Sequence, residues 1–93
     1  MTKKERRKLD KYYSKYGINY AMYEAQLKAQ NGACALCLKK PKPGQRRMAV
    51  DHDHGSGITR SILCFYCNKY RVGRLTYEWA FKIAEYLYKY EQN

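Results

Sequence analysis

At 93 residues the chain is one domain, 1–93, too short to bury a large core, so a metal or disulfides should help hold it together. Lysine and arginine number 19 against 8 aspartates and glutamates, a formal charge of +11 that points to a polyanionic partner. No stretch reaches the roughly 20 apolar residues of a membrane span, and Met1 to Lys8 lacks the apolar run of a signal peptide. A reducing cytoplasmic setting is therefore expected, in which paired cysteines serve as metal ligands more often than as disulfides.

The charge is unevenly placed. Between Glu24 and Glu78 the only carboxylates are Asp51 and Asp53, while ten lysines and arginines lie in the same span. A solvated charged face or a patch for acidic lipid would be the plainer explanations. An acid-free span of this length favours nucleic acid. Eleven tyrosines supply much of the apolar content, so a core built largely of amphipathic rings is expected.

In chain order, residues 1–31 read as a basic helical segment. Thr2-Lys3-Lys4-Glu5 has the form of a capping box, opening a helix to about Tyr16 that Gly17 stops. Tyr12, Tyr13 and Tyr16 give it a partial apolar face; its lysines and arginines suit either a DNA backbone or simple solvation. Asn19 can cap a second helix to about Gln30, ended by Asn31-Gly32 in a left-handed turn. Its stripe of Tyr20, Tyr23, Leu27 and Gln30 should face the core and deliver Cys34.

Residues 32–75 follow as a metal-clamped core. Pro41 and Pro43 exclude a helix or central strand from the basic loop between Lys39 and Gly44. Arg46 to Val50 and Ile58 to Leu63 read as the strands of a β-hairpin, with Gly55-Ser56-Gly57 in its connection. A helical turn is expected from Phe65 to about Tyr70, ended by Gly73. In the remaining segment, 76–93, Thr76 caps a helix whose stripe of Ala80, Ile83, Leu87 and Tyr90, widened by Trp79, Ala84 and Tyr86, should pack across the metal module. Glu91, Gln92 and Asn93 are expected to fray. The fold class is α+β.

Cys34-Ala35-Leu36-Cys37 and Cys64-Phe65-Tyr66-Cys67 stand 26 residues apart and hold all four cysteines. Four thiolates close a tetrahedral Zn²⁺ site with no open position, which makes it structural. Mixed ligation by Cys34, Cys37, His52 and His54 would use an H-x-H spacing shorter than usual and orphan the second pair. A redox C-x-x-C would call for a βαβ context that is lacking.

With sulfur satisfying zinc, Asp51, His52, Asp53, His54 and Asn68 are free for other chemistry. Phosphodiester hydrolysis needs a base for water and a cation for the developing charge. A neutral imidazole can be that base near neutral pH. Mg²⁺ or Mn²⁺ prefers oxygen donors and keeps several waters, so Asp51 and Asn68 could suffice. The bland reading is a polar hairpin end. In a straight strand Asp51 and His52 would face opposite sides, so they can share one phosphate only if the chain turns there.

Taken together, Cys-x-x-Cys, Asp-His-Asp-His, Gly-x-x-Arg-x-x-Leu-Cys and Cys-x-x-Cys-Asn resemble the recombination endonuclease VII family, among the His-Asn-His (HNH) nucleases of ββα-metal fold. The resemblance covers about Tyr20 to Leu75. It implies zinc on Cys34, Cys37, Cys64 and Cys67, Asp51 and Asn68 on the catalytic divalent metal, and His52 as general base. His54 matches the second histidine of that motif, in support at phosphate or metal, with Asp53 behind it. Arg46, Arg47, Arg60, Lys69, Arg71 and Arg74 are expected to contact the DNA backbone without reading sequence.

Junction-resolving members carry a long helical extension that builds an intertwined dimer. About 18 residues follow Leu75 here, so a minimal nuclease module is expected, as a monomer or weak dimer. The N-terminal helix is more basic than the motif requires. The rival readings are a non-catalytic zinc-containing DNA-binding module and a zinc-stabilised protein-interaction domain.

Overall fold

Thr2 and Glu5 exchange the two hydrogen bonds of a capping box, which opens helix α1, Lys3–Ser14. Asn19 accepts from the Met22 N–H and opens α2, Tyr20–Ala29. Both starts are where the sequence puts them, in a computed structural model that describes residues 1–91. Asn31 and Gly32 end α2 with φ of 57° and 73°, the left-handed turn expected there.

The two helices meet through aromatic rings. Tyr13 of α1 and Tyr23 of α2 stack at 4.5 Å between centroids and are both fully buried. The Tyr23 hydroxyl satisfies itself on the Met48 carbonyl at 2.9 Å, and burial foremost pushes its pKa up. Asp10 accepts from the Tyr20 N–H at 2.9 Å and locks the corner between the helices. The ring-built core is thus narrower than the composition suggests: these two tyrosines are buried, Tyr16 and Tyr20 are half-buried, and the rest lie on the surface.

The hairpin consists of β1, Ala49–His52, and β2, Thr59–Leu63, paired antiparallel. β1 starts later than Arg46 and runs through Asp51 and His52, which corrects the expected boundary. The reason is pairing: Ala49 faces Leu63 and Val50 faces Ile62, so the ladder has no partners for Arg46 and Arg47. Met48, Val50, Ile62 and Leu63 complete the core with the two tyrosines. Gln30, at the end of α2, donates to the Ile62 carbonyl at 2.8 Å and accepts from the Ile62 N–H at 3.0 Å. One side chain thereby pairs with the strand as another strand would.

After Cys64 the chain turns through Phe65 and Tyr66 into a π-helical segment, Cys67–Val72. The Gly73 N–H reaches the Asn68 carbonyl at 2.9 Å, an i→i+5 bond. Gly73 has φ +47°, and a Cβ there would meet the Lys69 carbonyl at 3.2 Å, so the wide turn depends on glycine.

The last helix, α3, Tyr77–Glu91, is capped by Thr76, whose hydroxyl accepts from the Trp79 N–H. Here the expectation fails. None of its side chains is buried, and Tyr77 is 82% exposed. None of its residues joins the core cluster, which the knuckles, the hairpin, α1 and α2 close among themselves. The radius of gyration is accordingly 15.9 Å, against about 12 Å for a compact domain of this length. Glu91 belongs to α3, and the expected fraying at Gln92 and Asn93 lies outside the described residues. No helix among the described residues is long and apolar enough to cross a membrane.

Candidate metal centre and histidine-bearing hairpin

The two C-x-x-C segments fold into matching knuckles. In the first, the Leu36 N–H points at the Cys34 sulfur (3.4 Å) and the Leu38 N–H at the Cys34 carbonyl (2.9 Å), with Leu38 at φ +65°. In the second, the Cys67 N–H points at the Cys64 sulfur (3.4 Å) and the Asn68 N–H at the Cys64 carbonyl (3.0 Å). The Ala35 N–H bonds to the Ile62 carbonyl at 3.1 Å, which fastens the first knuckle to β2 as the second grows out of it.

This arrangement brings the four sulfurs within 4.8 Å of one another. Cys37 and Cys64 are 3.9 Å apart. A tetrahedron with Zn–S bonds of about 2.3 Å has edges of about 3.8 Å, so the four sulfurs can hold a metal ion and the spacing suits zinc. Burial resists ionisation of Cys34, yet hydrogen bonds from the backbone at Cys64, Cys37 and Leu36 bring its pKa down to about 6. Burial pushes Cys67 up to about 11, against the Arg71 guanidinium 3.1 Å from its sulfur. Four clustered thiolates need a cation. Neither histidine belongs to the cluster.

At the far end of the hairpin the register slips between Val50 and His52: Val50 faces Ile62, but His52 faces Thr59. Arg60 and Ser61 therefore stand against Asp51 alone, a bulge on β2. The bulge lies on β2, while β1 continues through both Asp51 and His52, so the turn that would bring the two to one phosphate is not seen in this strand. Asp51 turns inward, 5% exposed, and receives the Arg60 guanidinium on both oxygens, at 2.6 and 3.0 Å. His52 lies half-buried, its ring 5.7 Å from that of Tyr16 and 4.7 Å from that of His54. The Thr59 hydroxyl donates to the Tyr16 carbonyl and ties the turn after α1 to this end.

Asp53 turns the connection. One of its oxygens accepts from the Gly55 and Ser56 N–H groups at 2.7 and 2.9 Å, and these bonds, Ser56 foremost, hold its carboxyl below the usual carboxylate range. Asn68 is half-buried and follows the second knuckle directly. It shares no hydrogen bond with Asp51, whose oxygens both face Arg60.

Of the residues expected on DNA, Arg60 is thus committed to Asp51, and Arg71 to the Cys67 sulfur and the Tyr66 ring at 4.6 Å. Arg47 reaches the Tyr13 hydroxyl at 3.4 Å. Arg46 and Lys69 both stand over the Phe65 ring, and Arg74 is exposed. From sequence, Tyr16 has only a packing role, and Phe65 and Tyr66 are not singled out. For the last two a signal existed: the middle residues of a metal knuckle point outward, and here both are aromatic.

Residues 9–89 match the family described as recombination endonuclease VII. Over 58 residues, 62% of this chain, it is 43% identical to the Gene 59 protein of Mycobacterium phage D29 and 41% identical to that of Mycobacterium phage L5. The matched region spans about a third of those relatives' length, 34% and 35% respectively. With the family match running from within α1 almost to the end of α3, the chain belongs to the recombination endonuclease VII family.

Proposed function

We propose that the chain is a divalent-metal-dependent DNA endonuclease module of the His-Asn-His type, with zinc as the structural ion. The observation that carries this reading is the hairpin itself. Sulfur clamps its base, and at the bulged end His52 and His54 stand 4.7 Å apart, outside the sulfur cluster.

His52 takes a proton from a water aligned with a backbone phosphate. The rings of Tyr16 and His54 stand 5.7 and 4.7 Å from its own, and His54 supports the phosphate. Asp51 and Asn68 offer the oxygen donors that Mg²⁺ or Mn²⁺ accepts. When bound, such a cation stabilises the developing phosphorane charge and the departing 3′ oxygen. The products carry 5′-phosphate and 3′-hydroxyl ends. For Asp51 to serve, the guanidinium of Arg60 gives way, and a side chain already 39% exposed becomes free to meet the phosphate. Arg46, Arg47, Lys69, Arg71 and Arg74 hold the backbone without reading sequence, so affinity falls steeply with salt.

Plasmid nicking with Mg²⁺ or Mn²⁺, at matched zinc content, is the test. His52→Ala should bind DNA and not cut it; cleavage at the wild-type rate would remove His52 from the mechanism. The bidentate closure of Asp51 by Arg60 favours a second reading, a non-catalytic zinc-containing DNA-binding module. That reading expects binding without cleavage in any divalent metal, and tolerance of Asn68→Ala.

A further inference from the structure

Beside the sulfur cluster lies an open groove of about 590 Å³, walled by Lys39, Lys40, Lys42, Arg46 and Arg71 with no carboxylate in its lining. Its floor includes Phe65 and Tyr66, 40% and 55% exposed. A second groove of about 550 Å³ shares Arg46, Met48 and Phe65 with the first and continues along Tyr12 and Tyr16. Tyr16 is the residue whose ring stands 5.7 Å from His52. The two grooves adjoin at Arg46, Met48 and Phe65 and together form a track from the first knuckle to Tyr16; neither histidine lines it.

Cations are interleaved with rings along that track. Arg71 lies over Tyr66 and Arg46 over Phe65, both at 4.6 Å. A site that met only the outside of a duplex would need the cations and not the rings, because paired bases are stacked on one another and hidden. Exposed rings set between phosphate-binding cations are what unpaired nucleotides require.

We propose that this track holds a single-stranded stretch of DNA: bases take the places of the Arg46 and Arg71 guanidiniums over Phe65 and Tyr66, and the freed guanidiniums, with the Lys39–Lys42 loop, hold the phosphates. The proposal rests on the endonuclease reading, because it names the substrate feature that the same site would select.

The experiment compares zinc-loaded full chain, Phe65→Leu and Tyr66→Leu for binding to a single-stranded oligonucleotide and to a duplex of equal length, without added divalent cation. The single strand carries one 2-aminopurine, whose fluorescence falls when it stacks on a ring. Leucine keeps apolar volume at two exposed positions, and zinc content and circular dichroism establish that each variant is folded. The wild-type protein should prefer the single strand and quench the probe. Each variant should lose single-strand affinity on the order of tenfold, the size of one lost base–ring stack, with duplex affinity unchanged and quenching reduced. Equal loss on both DNAs, or no loss, overturns the track while leaving the endonuclease reading in place if plasmid is still nicked. Failure of the wild type to bind either DNA overturns both.

Discussion

The two ends of the hairpin are built on opposite principles. At its base, four sulfurs are brought together by two short knuckles, each closed by its own backbone N–H groups, and by one bond from Ala35 to the neighbouring strand. At its tip, Asp51, His52 and His54 depend on a register slip and on a guanidinium arriving from across the sheet. The base is locally coded and closed; the tip is assembled from both strands and from α1, and remains partly open. A closed sulfur site contributes stability, whereas the tip is where the proposed endonuclease chemistry would take place. The difference suggests that damage at the base should unfold the protein and damage at the tip should silence it.

The strongest challenge to that contrast is at the base. Cys64→Ser, or removal of the metal by a chelator, should abolish cooperative folding, since binding of a structural zinc is worth about 10 kcal/mol or more, as much as the whole stability of a small domain. Circular dichroism during chelation measures this; a folded Cys64→Ser protein without metal would break the comparison. At the tip, His52→Ala should lower cleavage by roughly 100- to 10,000-fold, the usual worth of a general base, while the melting temperature stays near that of the wild type.

Arg60→Gln tests where the two principles meet. It leaves Asp51, almost wholly buried, without its partner. A loss of about 1–3 kcal/mol in a denaturant titration is expected, below the value for a fully buried pair because Arg60 is half open to solvent. A smaller effect belongs to Asp53. Its pKa is depressed in the folded state, so its contribution is present above the unfolded value near about 3.9 and is lost as pH falls through the lower folded value. Asp53→Asn should therefore loosen the Gly55–Ser56 turn at neutral pH, read by amide exchange, and the difference from wild type should vanish in acid. The least effect is expected from Trp79→Ala on α3, within about 0.5 kcal/mol in the isolated chain, because that residue is on the surface of a helix with no buried face.

How far these features could be read in advance depended on the range of the interaction. The capping box at Thr2, the Asn19 cap and the left-handed end at Asn31-Gly32 involve residues a few positions apart, and they stand where the sequence places them. The C-x-x-C pairs gave the metal cluster because a knuckle needs only its own backbone. The start of β1 was misplaced because Arg46 and Arg47 have strand-like neighbours but no partner across the ladder. The helical stripe of α3 was recognised as apolar and assigned to the wrong surface, since periodicity says which residues share a face and not what covers it.

By itself, the sequence determined the donor sets on offer: thiolates paired at knuckle spacing, both histidines beside Asp51 and Asp53, and a span from Glu24 to Glu78 otherwise cleared of carboxylates. These are properties of residue type and short spacing, which survive any fold that brings the knuckles together. Only the tertiary structure decided that Arg60 closes on Asp51, that Gln30 holds the edge of β2, that Tyr13 and Tyr23 form the aromatic heart, and that α3 stands apart. Each of these depends on which distant atoms meet, and a one-residue slip between two strands is enough to change the answer.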